Sequence, residues 1–183
     1  MMRVVTAVGL VLAVATAGMA QHTLTSPYRG QLGSEIRGLS AEEIADLREG
    51  RGMGLARAAE LNGYPGPTHV LEAVEAGQLS LNPEQLSAIR QLFERMSREA
   101  RRLGDILLRE EQALEAAFRA GTIDEAALRA RVARIAGFHG ELRVVHLRTH
   151  LETRALLSEQ QIRRYNQLRG YAAGEAGHAP HRH

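Results

Sequence analysis

The feature that most constrains this chain is a long apolar repeat in its middle. From Leu86 the apolar residues recur as Ile89, Phe93, Met96, Ala100, Leu103, Leu107, Leu114 and Ala117, in steps that alternate between three and four. Glu110 is the one interruption. Such steps place every member on one stripe of an α-helix, and a stripe so continuous needs a partner surface along its length. The start of the run is marked as well. Asn82 suits the cap, Pro83 the first helical position, and Gln85 can close the cap from the third. With Gly121 as its end, the run predicts a helix about 57 Å long at 1.5 Å per residue.

A second long helix should follow at once. Thr122-Ile123-Asp124-Glu125 reads as a capping box, and the seam behind it runs Leu128, Val132, Ile135, His139, Leu142, His146, Thr149. So short a connection predicts an antiparallel hairpin over residues 83–156. Exposed Glu94–Arg98, Asp105–Arg109 and Glu115–Arg119 have the favourable i,i+4 orientation. Ser158 with Gln161 opens a last helix to about Arg169, and Ser40 with Glu43 opens a short one over Ala41–Glu49. Gly50, Gly52 and Gly54 break that short helix. Further short helices are expected over Leu55–Leu61 and from Pro67 to Gly77, on either side of the Asn62–Gly66 turn. No segment alternates as a strand would. The expected fold class is therefore all-α: a long antiparallel helical hairpin with short flanking helices. The seam leaves apolar surface for a second copy, so a homodimer is expected.

The ends of the chain set the compartment. Arg3, an uncharged apolar run from Val4 to Ala17, and small residues at Gly18 and Ala20 make residues 1–20 a signal peptide cleaved before Gln21. The run is shorter than the roughly 20 apolar residues that span a bilayer, so no membrane insertion is expected after cleavage. The chain holds no Cys, which excludes a lipoprotein anchor and disulfides. The expected location is the periplasm. Residues 21–39 read as a flexible arm, 40–78 as a short-helix segment, 79–171 as the hairpin domain, and 172–183 as a disordered tail carrying His178, His181 and His183.

Several classes of function are disfavoured. All 23 basic residues are Arg, yet the formal net charge is only +2. With export and few aromatics to stack bases, nucleic acid is not an expected partner. There is no serine-nucleophile motif and no phosphate loop, so no catalytic residue is assigned, no enzyme is expected and no cofactor is required. Two groups of residues remain. Arg98, Arg102 and Arg109 on the first long helix, with Arg134 and Arg143 on the second, read either as a solvated face or as a cradle for acidic or unfolded chains. Residues 83–170 carry 16 Arg against 12 Asp and Glu, which leaves this region basic.

His139, His146 and His150 fall on one stripe of the second helix, and His146 with His150 has the i,i+4 spacing that can hold one metal. Folding about Gly121 brings Met96 and Glu99 within a turn of His146. The set would suit zinc, nickel or copper; the same residues also read as seam histidines packed by their apolar edges. Gly104 falls opposite His139–Gly140 in that register, which predicts a close approach of the two long helices.

The two cap sequences carry a resemblance. Leu81-Asn82-Pro83-Glu84-Gln85 and Leu157-Ser158-Glu159-Gln160-Gln161 resemble the LTxxQ motif of the Spy/CpxP family, with Asn82 where the pattern has Thr. They bracket a long helical hairpin behind a signal peptide, in the order that family shows. Their plain physical role is a cap closed by Gln85 or Gln161, with Leu81 or Leu157 packing as a staple. The resemblance covers residues 79–171; residues 22–66 have no counterpart. It implies a periplasmic, hooked helical hairpin, usually a homodimer. Family members act as ATP-independent chaperones or envelope-stress modulators on unfolded or envelope proteins, and ZraP- and CnrX-like relatives respond to metals. The leading expectation is chaperone or stress modulator; the alternative is a heavy-metal-binding sensor or resistance protein.

Overall fold

A computed structural model describes residues 25–171, and every regular element among them is helical. The expected signal peptide and the histidine tail lie outside the described residues. The described residues fall in two units that divide after Gly30. The first is described only from Thr25, as an exposed turn in which Arg29 N donates to Ser26 O. A 3-10 helix, Pro27–Gly33, begins there. Six α-helices follow: α1 (Ala41–Glu49), α2 (Arg57–Glu60), α3 (Pro67–Glu75), α4 (Pro83–Arg119), α5 (Glu125–Leu156) and α6 (Glu159–Leu168). None is long and apolar enough to cross a membrane.

The caps show why the helices start where they do. Ser40 accepts from Glu43 N at 3.1 Å while Glu43 reaches back to Ser40 N at 2.8 Å, and reciprocal caps of this kind open α4 and α6 as well. The start of α5 differs from expectation. Thr122 N donates to Ala117 O, so Thr122 closes the end of α4 behind Gly121, whose φ is 64°. Asp124 is the cap instead, accepting from Ala127 N at 2.8 Å. An alanine at that third position has no side chain to reach back, so the box is one-sided.

α4 and α5 lie side by side. Arg95 pairs with Glu152 at 2.9 Å, Arg134 pairs with Glu110, and Gln85 near the start of α4 meets Leu156 at the end of α5. Glu110, the interruption in the apolar repeat, is thus answered by an arginine from the facing helix. α1 and α3 also pack on α4, whose buried face includes Leu92, Gly104 and Leu108 as well as the seam.

Two apolar clusters result. One joins Ile44 and Leu47 of α1 to Leu103, Leu107, Ile135 and Leu142. The other joins Val70 of α3 to Ile89, Leu157, Ile162 and Tyr165. Within the stretch read as a flexible arm, Ile36 is only 1% exposed in the first cluster, and Arg37 N donates to Glu115 at 2.7 Å. A branched apolar side chain and one backbone bond anchor the end of that stretch.

The seam of α5 departs from the repeat read in the sequence. Ile135, Leu142, His146 and Thr149 are buried, but Val132 and His139 are exposed, and Val145 and Thr153 join the buried set. A strict 3.5-residue repeat drifts about 20° per heptad on a straight helix of 3.6 residues per turn. Over three heptads that drift turns the N-terminal members out of the contact.

Gly104 marks a crossing, though with another partner than expected. A Cβ on Gly104 would lie 1.9 Å from the carbonyl oxygen of Leu47 in α1, whereas Gly137 and Gly140 of α5 have open space. Gly104→Ala should therefore push α1 off α4 and cost about 1–3 kcal/mol, read as a lower urea midpoint. Gly137→Ala should raise the midpoint by about 0.5–1 kcal/mol, since alanine is the better helix former where nothing is touched. A Gly104→Ala midpoint equal to the parent's would refute so tight a crossing.

Candidate functional site

The two cap motifs meet. Gln85 Nε2 donates to Gln161 Oε1 at 3.0 Å, and Gln161 Nε2 donates to Gln85 Oε1 at the same distance. Each amide also closes its own cap, accepting from Asn82 N at 3.1 Å and from Ser158 N at 2.8 Å. Their remaining N–H bonds go to Leu156 O at 2.7 Å and Ser80 O at 2.9 Å. Leu157 is buried and Leu81 half-buried in the apolar cluster alongside. The cap role read in the sequence is present at both motifs; their mutual contact was not legible, because no local rule pairs residues 76 apart.

The expected histidine site is partly assembled. His146, His150 and Met96 line one cavity of about 580 Å³, together with Phe93 and Ser97. It falls where the two apolar clusters give way to each other along both long helices. His146 is only 4% exposed, and its Nε2 has no hydrogen-bond partner among the described residues. Burial, and the nearby His150, hold its pKa below 6.5, so the ring is neutral at pH 7. His150 Nδ1 lies 2.7 Å from Tyr64 O. A carbonyl only accepts, so Nδ1 is the donor in this bond and Nε2 is the ring nitrogen left to face elsewhere.

Other expected ligands lie elsewhere. Glu99 is engaged by Arg102, at 2.6 and 2.9 Å, and lines a separate cavity of about 260 Å³ with Arg95, Arg148 and Glu152. His139 is exposed, about 10 Å along the helix axis from His146, which is too far to share an ion. Among the described residues, no three His, Cys, Asp or Glu side chains gather closely enough to hold a metal.

One carboxylate was missed. Glu60 of α2 enters the same cavity, with Oε1 accepting from Tyr165 Oη at 2.6 Å and from Arg169 at 3.2 Å. Its Oε2 is 3.7 Å from His150 Nδ1 and has no hydrogen-bond partner among the described residues. Burial and the bond to Glu60 raise the Tyr165 pKa, so the phenol stays protonated. Arg154 holds the same loop, donating to Gly63 O at 2.8 Å and standing 5.2 Å over the Tyr64 ring. The only local signal was the Gly63-Tyr64-Pro65-Gly66 turn; Gly66 abuts the His150 ring so closely that a Cβ would lie 2.8 Å from Cε1.

The arginines read as a cradle are mostly committed within the chain. Arg98 pairs with Glu94, Arg102 with Glu99 and Arg134 with Glu110. Arg109 and Arg143 are exposed and form no ion pair among the described residues.

The amide pair can be tested by a double-mutant cycle. Gln85→Ala and Gln161→Ala should each cost about 1–3 kcal/mol, because each strands the other's donor and acceptor. The double variant should cost less than the sum by about 0.5–3 kcal/mol in urea unfolding. Additive losses would mean that each glutamine serves only its own cap.

Comparison of the chain with protein-family models, with characterised proteins and with solved structures found no match.

Proposed function

We propose that this chain is a periplasmic, ATP-independent chaperone or envelope-stress modulator of the Spy/CpxP kind, built on an antiparallel hairpin of α4 and α5 and acting as a homodimer on unfolded or envelope proteins. The observation that carries the reading is the reciprocal Gln85–Gln161 pair. It gives the two LTxxQ-like sequences one shared purpose: each glutamine closes its own cap and the pair joins both ends of the motif-bracketed segment. A chance pair of good helix starts would have no reason to meet. The absence of any nucleophile or phosphate-loop motif fits a protein that works by binding. The test is aggregation of a chemically denatured client protein diluted into buffer without nucleotide. A few equivalents of the chain should suppress light scattering, with no added metal. Scattering equal to that with an inert protein overturns the reading.

A second reading, a metal-responsive protein, rests on the cavity. His146 and His150 supply imidazole nitrogens, Met96 supplies a thioether, and the bond from His150 to Tyr64 O is the outer hydrogen bond that ligating histidines commonly make. Two nitrogens and a sulfur suit copper better than a hard cation. At 100 times Kd, a metal bound only by the folded state should add about 2.7 kcal/mol and raise the melting temperature by several degrees. His146→Ala with His150→Ala should abolish the rise, and deletion from Gly177 onward should not. No shift with copper, nickel or zinc in the tail-deleted protein excludes the site.

A further inference from the structure

α4 and α5 differ on their outward sides. α4 turns charge outward, with Arg90, Glu94, Arg98, Arg102, Asp105 and Arg109 all exposed. α5 does not. Ala126, Ala130, Ala133, Gly137, Gly140 and Val144 are exposed at steps of four and three, and Leu147 and Leu151 continue the line. Val144 is 47% exposed and Leu151 56%. This second stripe lies opposite the face that α5 packs on α4, and it runs about 38 Å from Ala126 to Leu151. Among the described residues, this helix, apolar on both sides, has a partner on only one of them.

We infer that this outward face of α5 docks an acidic amphipathic helix of a partner protein. The inference names the partner class of the protein-binding reading above and rests on it. Spacing selects a helix, because alternating steps of three and four accept the apolar seam of another helix along its length. The small residues leave a shallow trough: a Cβ at Gly137 or Gly140 would touch nothing within 4 Å, so large apolar side chains of the partner have room to seat there. Charge selects an acidic partner. Arg129 and Arg143 flank the stripe on one side, Arg134 and Arg148 on the other, with Glu141 between the latter two. Arg143 and Arg148 form no ion pair among the described residues. The same charges disfavour a second copy. In an antiparallel pairing centred on Glu141, Arg134 of one copy meets Arg148 of the other, and in a parallel pairing Arg129 and Arg143 of one copy face Arg134 and Arg148 of the other; like charges so placed oppose association.

The experiment uses two labelled synthetic 28-residue helical peptides with the same leucine heptads, one with glutamate flanks and one with lysine flanks. They are titrated into the purified protein by fluorescence anisotropy, with phosphatidylglycerol vesicles as a third arm. The glutamate peptide should bind and the lysine peptide should not. Val144→Glu with Leu151→Glu, both exposed and checked by circular dichroism, should weaken binding about tenfold or more, as removal of two anchor side chains would. Arg143→Glu with Arg148→Glu should reverse the preference between peptides. Equal binding of both peptides overturns the inference, and so does binding that the stripe variants leave unchanged. Binding confined to vesicles, or a change of self-association instead of peptide binding in the stripe variants, overturns it too. Client aggregation separates the two levels. Suppression that persists undiminished in Val144→Glu/Leu151→Glu sinks the docking face and leaves the chaperone reading standing. Peptide binding without suppression by the parent chain does the reverse.

Discussion

The reciprocal amide pair between Gln85 and Gln161 is the contact on which the rest of the arrangement hangs. A primary amide has two donors and two acceptor lone pairs, and a half-buried amide that leaves any of them unused costs free energy. Here each side chain uses all four: one pair for its own helix cap, one N–H for a carbonyl of the neighbouring loop or helix end, and two positions for its counterpart. The consequence is geometric. Neither glutamine can be satisfied unless the starts of α4 and α6 and the last turn of α5 hold one mutual position. Apolar packing in the cluster of Val70, Ile89, Leu157 and Tyr165 supplies most of the driving force there, but packing alone would tolerate sliding. The directional bonds do not.

Away from that pair, the two apolar clusters meet imperfectly. Between them lie His146 Nε2 and Glu60 Oε2, two buried polar atoms without a hydrogen-bond partner among the described residues. Buried polar groups left unpaired are costly, and proteins carry few of them. Both atoms belong to residues that line one cavity, where His150 spends its Nδ1 proton on the carbonyl of Tyr64. Glu60 arrives there from a four-residue helix that has little packing of its own. Tyr165 and Arg169 hold its carboxylate, and Arg154 and His150 hold the following loop at Gly63 and Tyr64, all from the C-terminal half of the chain.

What was legible in the sequence follows from the range of each rule. Cap chemistry is local, so Ser40, Asn82 and Ser158 placed the starts of α1, α4 and α6 to the residue. Asp124 displaced Thr122 because the end of α4 claimed the threonine's N–H first, a competition between neighbours that a motif read by itself omits. Helical period showed that α4 and α5 are long, but not which stripe of α5 faces inward. α5 carries apolar residues on both sides, and a strict heptad drifts off a straight helix. That is why Val132 and His139 turned out exposed and Val145 buried. The candidate metal set was half legible for the same reason. His146, His150 and Met96 share a cavity because i,i+4 spacing is local, whereas Glu99 was taken by Arg102 one turn away, and Glu60 comes from a segment that no periodicity marks.

The contacts that α4 makes with α5 and α6 are ordered by how much chain they enclose. Arg134 and Glu110 are 24 residues apart, Arg95 and Glu152 are 57, and Gln85 and Gln161 are 76. Closing a flexible loop costs entropy that grows as the logarithm of its length, but once an inner contact has formed only the short remainder has to be closed. The cheapest route is therefore a zipper that starts beside Gly121 and travels outward, with each ion pair shortening the loop for the next. In that sequence the amide pair comes last. It acts as a latch on an already aligned pair of helices, and it would be the first contact to open when the chain breathes from its far end.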